Sequence, residues 1–411
     1  MRTPRVVVIG GGAAGLMAAG RAAELSARVT VFEKNDTVGR KLSITGKGRC
    51  NVTNFCDNDT FIAHLTSNAR FMYGAVSRFS CYDTVDFFNR LGVDTVVERG
   101  NRVFPRSGKA ADIVDALYDY VVSSGGEILS AHVKGIDIAD GCVRGVRLYN
   151  RTVECDRVIV ATGGMSYPST GSTGDGYAFA RAAGHTVTKL LPSLVPLVSR
   201  APFCAELQGL SLRNIRLTIV DNDSNKEIYS QMGELLFTHF GISGPLVLSA
   251  SAHMRSMTDG RYTAVIDLKP ALTPETLDRR LLRDFSDYAN RDIVNALRSL
   301  LPKSMIPVIL RLSGIDPHTK CREVSVLQRR ELLTTLKQIA IPVSGFRPLK
   351  EAIVTSGGVA VSEVNPKTME SKLVRGLYFS GEVLDLDAYT GGFNLQIAFS
   401  TGRLAGENAA Q

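Results

Sequence analysis

Residues 6–34 read VVVIGGGAAGLMAAGRAAELSARVTVFEK. The stretch opens on Val6–Ile9, a short apolar run of the kind a fully buried parallel strand requires. Gly10, Gly12 and Gly15 then fill a G-x-G-x-x-G frame where a helix begins. Gly10 suits a tight turn, Gly12 a close approach of backbone to a pyrophosphate, and Gly15 close packing of helix on strand. The helix start, through Ala13 and Ala14, offers unpaired N–H groups and the positive end of a dipole to phosphates. A second strand, Arg28–Phe32, ends at Glu33, the position from which an acid reaches a ribose. Strand, glycine turn, helix, strand and acid in this order predict a Rossmann-like dinucleotide-binding unit rather than a stray glycine-rich turn.

The chain continues with VGRKLSITGKGRCNVTN, residues 38–54, in which Arg40, Lys41, Lys47 and Arg49 are set among Gly39, Gly46 and Gly48. A basic glycine loop after the ribose acid suits a long anionic cofactor, although it also reads as a solvated basic face. RVIVATGGMSYPSTGSTGDGYAFARAAG, residues 157–184, is a buried strand, then Ala161-Thr162-Gly163-Gly164, then a helix. Residues 377–408, LYFSGEVLDLDAYTGGFNLQIAFSTGRLAGEN, give a strand, a Gly381-Glu382 turn, and a helix opened by Gly391-Gly392-Phe393-Asn394.

These blocks, with GELLFTHFGISGP at 233–245 and VTSGGVAVSEVNPKTMESK at 354–372, span the chain in order. Together they resemble the HI-type or BaiN-type NAD(P)/FAD-dependent oxidoreductases, relatives of the glutathione-reductase-type FAD fold. The resemblance implies bound FAD, a discontinuous FAD domain and an inserted domain. It also implies chemistry on carbon–carbon double bonds of steroid-like intermediates, or oxidation of amines or aminoketones. Turn and resemblance together place at the cofactor Gly10, Gly12, Ala13, Ala14, Gly15, Glu33 and Lys34. The basic loop adds Arg40, Lys41, Gly48, Arg49, Cys50 and Asn51, and Val133 follows from a strand that passes the adenine. Ala161, Thr162 and Gly163 come next, then Gly381 and Glu382 toward the ribityl chain. Gly392, Phe393, Asn394 and Leu395 lie where a helix start can face the negative charge of a reduced flavin ring.

The expected organisation is α/β, with FAD-domain parts at 1–190 and 355–411. The insert divides into a β-barrel-like, strand-rich part at 191–270 and 341–354 and a helical part at 271–340. Pro192, Pro196 and Pro202 mark its start. Within it, Leu207–Tyr229 alternates as strands around an Asp221-Asn222-Asp223 turn, Tyr262–Leu268 is a strand, and Pro274–Leu301 and 323–340 read as helices. Residues 127–149 read as a meander with turns at Asp140-Gly141 and Arg144-Gly145.

With 411 residues, 44% hydrophobic and 21% charged, the chain has the composition of a soluble, multi-core protein. No apolar run has the length of a membrane span, and VVVI is too short for a signal core, so the expected compartment is the cytoplasm. Seven Cys do not make a disulfide scaffold. The six His show no paired spacing and there is no C-x-x-C, so no metal site is expected. A net charge of +8 raises the question of nucleic acid. The cations are dispersed and the 12 Tyr are not interleaved with them, which argues for an anionic cofactor instead.

Only one glycine fingerprint is present, so NAD(P)H, as a possible electron donor, is expected to bind transiently. Cys50 and Cys56 enclose five residues, one more than the usual flavin-side dithiol, and Cys50 is expected as a buried thiol packed at the flavin. His239, in FTHFGISG, is the candidate general acid or base, with a structural role as its alternative. Three functions follow: an FAD oxidoreductase acting on an enone-type double bond, an oxygen-using amine or aminoketone oxidase, and a flavin-bound RNA-modifying protein.

Overall fold

In the computed structural model, which describes residues 3–411, the opening stretch forms β1 (Arg5–Ile9), α1 (Ala13–Glu24) and β2 (Arg28–Glu33). Two compact units are present. The first runs to Ser193 and resumes at Pro348–Gln411; the second is Leu194–Arg347.

The first unit is built on a five-stranded parallel sheet. Its further members are β3 (Glu127–Ser130), β4 (Arg157–Val160) and β5 (Leu377–Phe379), and the order is β5-β4-β1-β2-β3. Val6–Ile9 and Val158–Val160 are buried on both faces, which explains their continuous apolar runs. Four helices are central here: α1, α2 (Cys81–Arg90), α3 (Ala110–Ser123) and α4 (Asp175–Ala182). A fifth, α5 (Phe393–Ala409), lies against α1. That contact depends on small residues. A Cβ on Gly402 would collide with the carbonyl oxygen of Ala14, and one on Gly406 with that of Ala18. The two ends of the polypeptide are thus packed backbone to backbone.

Smaller sheets complete this unit. One joins Thr53–Asn54, Arg102–Pro105 and Thr95–Glu98, and a meander joins residues 135–139, 142–147 and 152–154. Arg144-Gly145, expected as a turn, lies inside a meander strand. A Cβ on Gly145 would sit 2.5 Å from the Val153 carbonyl oxygen, so the glycine serves close strand approach. The two chain crossings out of this unit, Leu191–Ser193 and Val354–Ser356, pair antiparallel as a ribbon.

The second unit carries a seven-stranded antiparallel sheet. In spatial order its strands are 339–343, 262–267, 211–221, 226–238, 241–243, 197–198 and 345–346. The two edge strands are separated in the chain by Ser344 alone, whose N–H bonds the Val198 carbonyl at 2.9 Å. The sheet therefore curls until its edges meet, as a barrel does. The helices of this unit include Pro274–Asp287, Ile293–Leu297, Ile306–Leu312 and Val326–Lys337. The single helix expected over Pro274–Leu301 is broken. Asp292 adopts an extended conformation and bridges to Lys320, which restarts the helix at Ile293. The second expected helix is trimmed to Val326–Lys337 by a Ser325/Gln328 capping box, and Ile339–Val343 is a strand. Among the described residues no helix is long and apolar enough to cross a membrane.

Candidate functional site: the carboxyl edge of the parallel sheet

The register of the parallel sheet brings the candidate residues to one edge. Ile9 pairs with Phe32 on one side and with Val160 on the other, and Val160 pairs with Phe379. Gly10, Glu33, Ala161 and Ser380 therefore begin together where their strands end. This is the crevice in which parallel α/β sheets bind ligands.

At the glycine turn, Gly10 has φ +104, and a Cβ there would lie 2.7 Å from the Ala161 carbonyl oxygen. Gly12 differs: its backbone is extended (φ −87, ψ −172), and nothing lies within 4 Å of an added Cβ. It caps α1 with no side-chain hydrogen bond, leaving the first N–H groups of the helix free to meet an anion over open space. Glu33 is buried. Its Oε2 accepts from Gly11 N–H at 2.7 Å, and its Oε1 accepts from the N–H and side-chain amide of Asn35 at 2.8 and 2.7 Å. The carboxylate is thereby fixed at the mouth of the turn, with one lone-pair direction of Oε2 unspent.

A second cluster joins four distant segments. Lys41 Nζ reaches Glu382 Oε2 at 2.7 Å and Ser166 Oγ at 2.6 Å. Glu382 Oε1 accepts from Ser166 Oγ at 3.0 Å and from Thr355 N–H at 2.9 Å. Sequence reasoning named Lys41 and Glu382 separately and missed both their pairing and the parts of Ser166 and Thr355. Only the recurrence of these segments among the family-like blocks hinted at it.

Other candidates divide by what already engages them. Thr162 Oγ1 and Asn51 Oδ1 are buried without a hydrogen-bond partner, polar atoms of the kind a bound ligand satisfies. Gly48 faces open space, and Val133 and Ala161 are buried. Gly163 (φ +71) follows them, and Gly15 is closed against the Gly10 carbonyl. Lys34 instead pairs with Asp175 at 2.7 Å, and Arg40 donates to Asn35 Oδ1 at 2.9 Å. Arg49 pairs with Glu98 and lies 4.2 Å above the Phe104 ring. Cys50 is buried at φ +55, and burial pushes its thiol up to about 12. Cys56 has Cys81, not Cys50, as its sulfur neighbour.

At the start of α5, Gly392 (φ +99) closes against the Thr53 backbone, and Phe393 stacks on His64 at 4.4 Å. The Asn394 side chain is spent on its own loop, bonding Ala388 N–H and the carbonyls of Ala388 and Tyr389. Leu395 is half-buried, and Gly381 (φ +74) faces Ala14. The loop before α5 is anchored by buried Asp387, which accepts from Ser67, Ser193 and Ser356 at 2.7, 2.8 and 3.2 Å. His239 belongs to the second unit, where it is exposed and meets Phe240 edge-on at 5.0 Å. Among the described residues no group of three or more His, Cys, Asp or Glu is arranged to hold a metal ion.

The donor set thus fits a dinucleotide: a free helix start over open space, an acid fixed beside it, and buried unpartnered polar atoms at Thr162 and Asn51. Fold and edge together define a Rossmann-type flavoprotein oxidoreductase. The chain belongs to the HI0933-like family, whose model, described as "HI0933-like protein Rossmann domain", matches residues 4–408. It is 33% identical over 414 residues to a 3-dehydro-bile acid delta(4,6)-reductase of Clostridium scindens, covering 99% of each chain. It is 31% identical to a ribosomal RNA dihydrouridine synthase of Escherichia coli, over 96% of this chain and 95% of that one. Among solved structures it is similar to a 3-ketosteroid-delta4-(5alpha)-dehydrogenase from Rhodococcus jostii RHA1. That match has a TM-score of 0.51 and 17% identity, over 99% of this chain and 96% of the other.

Proposed function

We propose that this protein is an FAD-dependent reductase of carbon–carbon double bonds conjugated to a carbonyl. The observation that carries the reading is the aligned edge of the sheet, where the glycine turn, Glu33, Thr162 and Glu382 meet the ends of β1, β2, β4 and β5. When bound, FAD supplies the hydride. The chain's own groups bind and orient. The α1 start receives the pyrophosphate, Glu33 the ribose, and the Lys41–Glu382 pair the ribityl chain. The N–H groups opening α5 face the growing negative charge of reduction. NAD(P)H is the proposed electron donor, and His239 the proposed proton donor from the second unit. The names of the two curated relatives, a 3-dehydro-bile acid delta(4,6)-reductase and a ribosomal RNA dihydrouridine synthase, support the chemistry.

A second reading concerns the substrate. Of the chain's 48 Lys and Arg and 40 Asp and Glu, residues 194–347 hold twenty and fifteen. Five of the eight net positive charges thus fall in little more than a third of the chain. That bias keeps a uracil ring within RNA as a second candidate substrate beside a free steroid.

One experiment separates these readings. Purified protein is photoreduced without oxygen, and flavin absorbance at 450 nm is followed on mixing with a steroid dienone, with ribosomal RNA, or with oxygen. Fast reoxidation by either unsaturated substrate, with slow reaction toward oxygen, is expected. Fast peroxide-forming reoxidation by oxygen, with neither substrate effective, would establish an oxidase instead. Isolation without FAD and failure to take it up would remove the whole reading.

A further inference from the structure

Of the seven cysteines, Cys56 and Cys81 stand out as a pair. Their sulfurs are 3.9 Å apart, joined by a thiol hydrogen bond, though 25 residues separate them in the chain. Cys56 follows the short strand Thr53–Asn54, and Cys81 is the first residue of α2. Cys56 retains 5% exposure and Cys81 none.

The surroundings of the two sulfurs are unequal. Cys81 sits in the first turn of a ten-residue helix capped by Ser80, at the positive end of its dipole. The hydrogen bond shared with Cys56 lowers the Cys81 thiol from its ordinary value; burial opposes it, and Thr53 and the backbone at Asn54 and Cys56 add to it. Cys56 is pushed the other way by the same contact and by burial. One sulfur is thus favoured as thiolate while its neighbour keeps the proton, the division of labour between an attacking and a resolving thiol. Closure from 3.9 Å to a bond of about 2 Å asks roughly 1 Å of each sulfur.

We infer that Cys56 and Cys81 form a redox-active dithiol that closes to a disulfide on meeting a hydroperoxide. The Cys81 thiolate attacks one peroxide oxygen, the O–O bond breaks, and hydroxide leaves to become water. The resulting sulfenic acid is attacked by the Cys56 sulfur, the S–S bond forms, and a second water departs carrying the Cys56 proton. Two thiols are oxidised by two electrons and one peroxide is reduced. The pair adjoins the cofactor-side helix, because Asn54 also bonds the Gly391 carbonyl at 3.2 Å.

The test treats FAD-loaded protein with a small excess of hydrogen peroxide, alkylates it in denaturant, counts thiols and maps peptides. The expected result is a fall from the seven thiols of the untreated chain to five, a 2-Da mass loss, and a linked peptide containing Cys56 and Cys81. In Cys81→Ser the remaining six thiols should persist. In Cys56→Ser, dimedone should label Cys81. Retention of all seven thiols, linkage of any other pair, or labelling of half-buried Cys142 while Cys56 and Cys81 stay reduced would overturn the inference.

Discussion

Lys41 and Glu382, 341 residues apart in the chain, meet through an ion pair of 2.7 Å with both side chains largely shielded from water. Ser166 and the Thr355 N–H complete the shell around the carboxylate. Four segments are cross-linked at the edge where the strands of the first unit end.

Glu382→Ala should leave the Lys41 ammonium and the Thr355 N–H without their acceptor, at a cost of about 1–3 kcal/mol. The fold should survive while FAD is held more weakly. Flavin-to-protein ratio after gel filtration, read beside a thermal melt, checks this. Glu382→Gln, which keeps an acceptor, should lose less of both. Unchanged flavin retention in Glu382→Ala would count against the ribityl role.

Gly12→Asp should give folded, colourless protein no less stable than the unsubstituted protein stripped of FAD. The added side chain meets nothing within 4 Å, and the extended backbone accepts it. Asp as a helix cap even favours α1 over glycine, by about 0.3 kcal/mol. What it opposes is a phosphate. A folded variant that keeps its full yellow absorbance would refute this placement of the pyrophosphate.

Gly402→Leu makes the opposite case. Its side chain would be driven into the Ala14 carbonyl, forcing α5 off α1. The cost should be about 2–3 kcal/mol, typical of an overpacked contact. Stability and flavin content should fall together, which a denaturant titration and an absorbance ratio report. The two glycines thus separate a closed position from an open one.

His185 predicts an acid-sensitive core. Its ring is buried against Phe379 at 4.9 Å, with Glu363 at 3.1 Å from Nδ1 and Ser371 at 2.7 Å from Nε2. Burial, outweighing Glu363, lowers its pKa below the ordinary 6.5. The unfolded chain therefore binds this proton first as pH falls. Stability is complete above about 6.5 and declines below it, by up to about 1.4 kcal/mol per pH unit within the shifted window. Glu363, lowered from 4.5, acts below that value, so the interval from 5 to 6.5 belongs to the histidine. Urea midpoints at pH 8, 6.5 and 5 should show the decline, and His185→Gln should flatten it. Identical slopes would show that this site carries no proton linkage.

What could be read from residues alone was local. Val6–Glu33 announces its strands, turn and helix because each follows from neighbours within a few positions. The helix at 110–123 also shows its apolar spacing, and the one at 393–409 is announced by the glycines that open it. Partnerships across hundreds of residues could not be read. Nothing near Lys41 names Glu382, and nothing near Gly402 names Ala14. Gly145 looked like a turn because glycine marks both turns and close strand approach. The break after Asp287 was hidden because Asp292 acquires its reason only from Lys320, 28 residues on. Asn394 and Arg49 have side chains suited to a ligand, yet Asn394 is engaged by its own loop and Arg49 by Glu98, 49 residues on.

The contact between α1 and α5 has a bearing on how the protein is made. The glycine turn leaves the ribosome well before the helix packed on α1 and the strand beside β4. Until then the early sheet has one bare flank, and Ala14 and Ala18 have no helix over them. A nascent chain stalled before Leu377 should neither retain the yellow coenzyme nor resist protease at its amino-terminal third. Release of the final segment should confer both at once.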